Sequence, residues 1–311
     1  MSRKLDIVTV TYGKEAGLLR LQARSLAKYV DPKLVGNIHI IINEKWPSAF
    51  KRMFEENIRA EYGVLSAKLR IHTYREITGR RLKKIGWRSQ QILKLMISQM
   101  IGTDEYLVLD CKIHYIRPVS RDHIYTGDGK LRTHQYRVVE HFTRQFEKAL
   151  KFLEVPQPEN LDDALPTVPP VLFKTQLVKE LIANIETKGR GNFPEIFMKE
   201  GFTEFYLYLA YLLKRFSGTE EFYEKVDRQT IPILASKADK PDEIKALLAR
   251  LDDEGMKSLG VHREVIEATR ENNRKVIADT WLKFDLISSL EEADDFWEET
   301  LSPPKKRFFI F

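Results

Sequence analysis

The order of apolar and polar positions divides the chain into a first half of alternating strands and helices and a second half richer in helices. Leu5–Thr11 is rich in β-branched residues and uncharged after Asp6, the pattern of a strand covered on both faces. Ala16–Tyr29 follows with Leu18, Leu19, Leu21, Leu26 and Ala27 at helical spacing. A second strand is predicted over Asn37–Asn43 and a helix over Pro47–Tyr62. Lys68–Glu76 alternates apolar and polar residues as a half-buried strand does. Trp87–Met100 carries Ile92, Leu93, Leu95, Met96 and Met100 on one side of a helix, and Tyr106–Asp110 is a short apolar strand. Such alternation implies parallel strands and right-handed crossovers. In these sheets ligands bind beyond the carboxyl ends of the strands. The ends that matter are Thr11-Tyr12, Asn43-Glu44, the segment after Tyr74, and Asp110 onward.

Farther along, His141–Leu153 is amphipathic, and Pro156–Pro170 holds prolines at 156, 158, 166, 169 and 170, which marks an extended surface connection. Helices are predicted at Gln176–Glu186, Thr203–Lys214, Lys240–Asp252, from Arg263 or Glu264 to Asn273, and at Val276–Phe284; Ser258–Val261 is a short strand. An acidic segment, Glu291–Glu299, precedes a tail of three cations and an aromatic end, Lys305–Phe311. The expected organisation is one domain over residues 1–290, with the acidic segment and tail at 291–311 outside it.

Composition narrows the class. The 311 residues are 43% hydrophobic and 31% charged, enough to build a core. Lys and Arg number 51 against 45 Asp and Glu, for a net charge of +6. Mixed rather than massed charge reads as the mildly basic surface of a soluble enzyme. The pairs Arg80-Arg81 and Lys83-Lys84 would suit phosphates of nucleic acid, but no nucleic-acid-binding motif accompanies them, so no nucleic acid is expected as partner. A lone cysteine, Cys111, excludes an internal disulfide and fits a reducing compartment. With no signal-peptide run, the expectation is a cytoplasmic protein. The tail, with cations for acidic lipids and aromatics for the interface, raises peripheral contact with the inner face of the membrane as an expectation; a disordered end or a strand docked on its own domain is the alternative.

The chemistry concentrates in Glu105–Pro118, where an apolar strand ends in Asp110 and then turns polar. A carboxylate there faces the ligand crevice and suits a divalent ion or a ribose hydroxyl; capping a turn is the alternative. Arg88 and Gln91, at the start of the helix opened by Gly86-Trp87, point toward the same crevice, a place that favours phosphate or sugar hydroxyls. The alternative makes Trp87 core and pairs Arg88 with a surface acid. Neither GxGxxG nor GxxxxGK[ST] occurs, which argues against a dinucleotide dehydrogenase and a P-loop NTPase.

The run Leu107-Val108-Leu109-Asp110-Cys111-Lys112-Ile113-His114-Tyr115-Ile116-Arg117-Pro118 resembles the segment that carries the Asp-x-Asp motif of GT-A glycosyltransferases. More narrowly it resembles a bacterial group of GT-A-like proteins from polysaccharide loci. IVTVTY, GWRSQQILKLM, TVPPVLFKTQLV, FTEFYLYLAYL and LGVHRE agree with that group in the same order, so the resemblance spans about residues 5–285. It implies an α/β fold with a Rossmann-type, mostly parallel sheet flanked by helices and a more helical C-terminal half. Residues of about 1–120 would bind the nucleotide and 121–290 the acceptor. The implied activity is transfer of a hexose from a nucleotide sugar, a UDP-sugar first, to a growing glycan or lipid-linked glycan of bacterial surface polysaccharide. By resemblance Thr9, Thr11 and Tyr12 hold nucleobase and ribose, with strand packing as the competing role for Thr9. Arg263 forks onto phosphate oxygens, and Asp110 with His262 ligates Mn²⁺ or Mg²⁺. Glu204, in the first turn of its helix, is the general base of an inverting enzyme, or else only complements the helix dipole. His114 lines the acceptor side. One departure stands out: Lys112 occupies the place of a second aspartate, so the metal is in doubt and the Lys112 ammonium is a second device for the diphosphate. A catalytically inactive scaffold of the same fold is the alternative consequence.

Overall fold

The β-branched run Leu5–Thr11 becomes β1 and is buried at every position, because neighbours pair with both its edges and helices cover its faces. The computed structural model describes residues 3–81, 86–162, 164–216, 218–238, 240–253, 255–268 and 271–301. After β1 come α1 (Ala16–Tyr29), β2 (Val35–Ile42), α2 (Pro47–Asn57), β3 (Leu69–Thr73), α3 (Tyr74–Thr78), α4 (Trp87–Met96) and β4 (Glu105–Asp110). The chain continues through β5 (Ile113–Tyr115), α5 (Arg121–Ile124), β6 (Leu131–His134), α6 (Thr143–Leu153), β7 (Val171–Lys174), α7 (Thr175–Gly189), α8 (Phe193–Glu200) and α9 (Glu204–Phe216). It closes with β8 (Tyr223–Val226), β9 (Thr230–Ile233), α10 (Pro241–Ala249), β10 (Ser258–Val261), α11 (Arg263–Ala268), α12 (Glu271–Lys283) and α13 (Leu290–Leu301).

The main sheet runs in the order β3-β2-β1-β4-β7. Its first four strands are parallel, and β7 joins β4 antiparallel. This is a mixed, mostly parallel α/β sheet flanked by helices. Strand order reverses at β1, which pairs β2 on one edge and β4 on the other, so a crevice opens where the two directions diverge. Val10 stands opposite Asp110 across that point. A smaller sheet, β5-β10-β9, returns the late part of the chain to the same place: the Val261 N–H donates to the Lys112 carbonyl at 3.0 Å.

Several predicted elements change at their ends. The predicted strand Lys68–Glu76 stops at Thr73, because Thr73 and Glu76 form a reciprocal capping box that starts α3. The predicted helix Pro47–Tyr62 ends at Asn57 and passes into a 3-10 stretch broken at Gly63, whose φ is +48°. Trp87–Met100 is α-helical only to Met96, with a 3-10 turn beyond. The proline-rich connection leads into β7, an edge strand the sequence pattern did not announce; α8, β5, β6, β8 and β9 were likewise unannounced.

The domain boundary at residue 290 also shifts. The acidic segment is the helix α13, which buries Ala293, Phe296 and Trp297. Arg24 and Arg20 of α1 pair with Glu292 and Glu299 on it. The fold therefore includes α13. Lys83, Lys84 and the tail Lys305–Phe311 lie outside the described residues. Among those described, no helix is long and apolar enough to cross a membrane.

Candidate active site at the carboxyl end of the sheet

Strand β4 is buried through Leu109 and meets a cleft at Asp110. The turn beyond it is held by Gln22 of α1, whose amide donates to the carbonyls of Asp110 at 2.6 Å and Ile113 at 3.1 Å. The cleft, about 580 Å³ counting the space open to solvent, is lined by Trp87, Lys94, Asp110, Lys112, Phe142 and Glu204 among others. Lys94 comes from α4, and its ammonium donates to Asp110 Oδ1 at 2.8 Å and to Glu204 Oε1 at 3.3 Å. Lys112 takes the other oxygen of Asp110 at 2.5 Å. With its amide oriented to satisfy both neighbours, Gln91 donates to Glu204 Oε2 at 3.0 Å and accepts from the Trp87 indole at 3.2 Å. One hydrogen-bonded chain thus runs from Trp87 through Gln91, Glu204, Lys94 and Asp110 to Lys112.

The electrostatics follow from burial and pairing. Burial alone would raise the Asp110 carboxyl, but Lys112 and Lys94 outweigh it and hold Asp110 well below the usual carboxylate range. Burial would strip charge from Lys94, yet Asp110 and Glu204 keep it protonated and push it up. Glu204 is raised, first by burial, with Lys94 opposing. The two carboxylates therefore differ: Asp110 is a fixed anion and Glu204 the better proton acceptor. Glu15, on the turn after Tyr12, faces the same cluster, and burial lifts its carboxyl to about 7 despite Lys112.

The structure brings some of the sequence-predicted residues together and separates others. Asp110, Lys112 and Glu204 share the cleft. Gln91 meets it through Glu204 and Trp87. Arg263 and Tyr12 meet at the end of β1, where Arg263 Nε donates to the Tyr12 hydroxyl at 3.1 Å. His262 follows β10, within electrostatic reach of Lys112 and Asp110, and is lowered by burial and then by Lys112.

Four of the predicted residues lie apart from the cleft lining. Thr9 is buried with its hydroxyl donating to Gln22 at 2.9 Å, and Thr11 is fully buried on the same strand face. The two-residue period of β1 turns both toward α1. Arg88 lies beside Gly201 and Lys148 at the end of α8, outside the cleft lining. Helical rotation puts its neighbour Trp87, 52% exposed and stacked on Phe142 at 5.8 Å, in the cleft instead. His114 is wholly buried behind α1, its Nε2 on the Leu18 carbonyl at 3.3 Å and its ring edge-on to Trp281, and it does not line the cleft.

The residues present do not fit a divalent ion. Both Asp110 oxygens accept a hydrogen bond from an ammonium, and His262 Nδ1 accepts from the Glu264 N–H at 3.2 Å. Among the described residues no group of three or more His, Cys, Asp or Glu could hold a metal. Hard cations need several oxygen ligands, and two ammoniums a few ångströms away would repel one.

Sequence reasoning passed over Lys94 and Glu15. A lone lysine between Leu93 and Leu95 in an apolar helix was the available signal for Lys94, since a cation is buried only when paired.

A family model described as a family of unknown function (DUF6492) matches residues 5–249. No curated protein matches the chain in sequence. Among solved structures, the WbbM bifunctional glycosyltransferase in its apo form is similar over 97% of this chain and 52% of its own, at 11% identity and a TM-score of 0.52. The galactosyltransferase LgtC, solved with donor and acceptor sugar analogues, is similar over 97% of this chain and 98% of its own, at 12% identity and a TM-score of 0.47. TarS of S. aureus, solved with UDP, is similar over 96% and 70%, at 12% identity and a TM-score of 0.40. The chain spans about half of WbbM, and the likeness is one of fold: an α/β sheet of the GT-A type.

Proposed function

Because the chain belongs to this family of unknown function, DUF6492, we propose its activity from the site: a glycosyltransferase that moves a sugar from a nucleotide-sugar donor to a glycan acceptor. A UDP-hexose is the donor we favour, and a growing or lipid-linked glycan of bacterial surface polysaccharide the acceptor. One observation carries the reading. At the crevice where strand order reverses, a fixed anion, two ammoniums and a buried carboxylate of raised pKa converge on one cleft. Fold likeness alone would not support a function.

The proposed chemistry is displacement at the anomeric carbon. The acceptor oxygen forms a bond to that carbon as the bond to the diphosphate oxygen breaks, and the nucleoside diphosphate leaves with the electron pair. Lys112 meets the negative charge that grows on the leaving group. Glu204 takes the acceptor proton if configuration inverts, its basicity matched to the task by burial. Trp87 and Phe142, stacked on each other in the cleft lining, would offer an aromatic surface to a sugar ring.

The test is a thermal-shift panel of nucleoside diphosphates and nucleotide sugars, each with and without Mn²⁺. A ligand of the folded state raises the melting temperature by mass action, about 2.7 kcal/mol at a hundredfold excess over Kd. A response to one nucleotide series is expected; a flat response across the whole panel would overturn the proposal.

A further inference from the structure

We infer that Lys94 and Lys112, clamped on either side of Asp110, stand where a divalent cation would otherwise be required, so that this site takes a nucleoside diphosphate without a metal. The inference rests on the transferase reading above and gives Asp110 a different job within it. A metal-ligating aspartate must leave oxygen lone pairs toward the ion. Asp110 turns each of its two oxygens to an ammonium, at 2.8 Å and 2.5 Å, so that an ion there would have to share the carboxylate with two cations. It acts as a positioning residue that fixes two cations side by side.

The two lysines are not equivalent. Lys94 is buried on α4 and shared between two carboxylates, so it is a permanent interior charge with little freedom. Lys112 keeps 18% of its side chain exposed and lines the cleft, and one contact leaves other ammonium protons for a ligand. Lys94 is matched by Glu204 and Lys112 shares Asp110, so what faces the place of phosphate oxygens is the exposed side of the Lys112 ammonium. A compact ammonium on a short tether meets that demand as a point charge. Glu204 is turned inward onto Lys94 and Gln91, and Glu15, which faces the same cluster, is pushed by burial toward its neutral form, so both leave the Lys112 ammonium uncovered.

The experiment is calorimetry of the full chain with UDP, GDP, ADP and CDP and with inorganic pyrophosphate, in EDTA and again with Mn²⁺. The inference expects at least one nucleoside diphosphate to bind in EDTA with a Kd that Mn²⁺ leaves unchanged. Lys112→Met should weaken that binding at least about tenfold, the scale of one charge-assisted hydrogen bond, and Lys112→Arg should restore most of it. Binding that appears only with Mn²⁺ would overturn the metal-free site while leaving the transferase reading in place. Binding in EDTA that Lys112→Met does not weaken would overturn the role of the clamp alone. No binding by any diphosphate under either condition would overturn both.

Discussion

Gln91 links the aromatic wall of the cleft to its charged floor. Its amide holds Glu204 Oε2 with one end and the Trp87 indole with the other. A hydrogen bond donated to a carboxylate favours the ionised form. Gln91→Ala should therefore raise the Glu204 pKa and leave a buried oxygen unpaired, at a cost of about 1–3 kcal/mol. The expected result is an acidic limb of the kcat/KM profile displaced to higher pH; an unmoved limb with unchanged kcat would remove Glu204 from proton transfer. At this scale the sequence was half legible. Asp110 and Glu204 announce themselves, one by ending an apolar strand and the other by opening a helix. Thr9, Thr11, Arg88 and His114 carried plausible chemistry but face α1 or α8. Side-chain type tells what a residue can do, and only its rotation about the element tells what it meets.

Elements differ in how their attachments hold. Helix α13 joins α1 through Arg20–Glu299 and Arg24–Glu292 and through the buried rings of Phe296 and Trp297. Partly exposed ion pairs are worth about 0.2–1 kcal/mol, whereas emptying a buried tryptophan site costs about 3–5 kcal/mol. Trp297→Ala should lower stability by that larger amount and Glu292→Gln by under about 1 kcal/mol, both read from urea midpoints. Equal losses would mean that charge, not burial, fastens the helix. The acidic composition of 291–299 hid this helix, because its apolar residues are few and its partner arginines lie far back in the chain. β7 was hidden for a related reason: a four-residue strand after two prolines has too short a run to show alternation, and its place beside β4 comes from long-range pairing.

The molecule as a whole should be acid-sensitive. Burial lowers His72, His114 and His134 to about 4, helped by His39 beside His72 and by Arg228 beside His134. The folded state thus disfavours their charged forms, while the unfolded chain takes up protons near 6.5. Between about 6.5 and 4 the unfolded state binds more protons, so stability is full above that window and falls as pH drops through it. Glu15 works the other way, since its raised carboxyl makes the folded state the better proton binder between about 4.5 and 7. His123 and His262, also lowered by burial, side with the three histidines, and Glu204 and Glu299, also raised by burial, side with Glu15; five groups oppose three, and the melting temperature should fall from pH 7 to pH 5. His72→Asn should flatten that slope; a slope independent of all three histidines would refute the assignment.

What the sequence determined alone is the set of elements whose pattern is itself a record of burial. β1, α1 and β10 fall at the predicted residues, and β4 differs only at its first, because a run of β-branched residues or a helical stripe is stable only where a core covers it. The parallel order and the crevice at Asp110 follow from their alternation. Tertiary structure decided which polar side chains face that crevice. Whether Lys94 or Arg88, Trp87 or His114, enters the cleft depends on which neighbour covers the other face of its element, and that neighbour lies tens of residues away. For the same reason the pair of ammoniums on Asp110 was only half legible: one of them, Lys94, reaches the aspartate only when α4 packs against β1, the neighbour of β4.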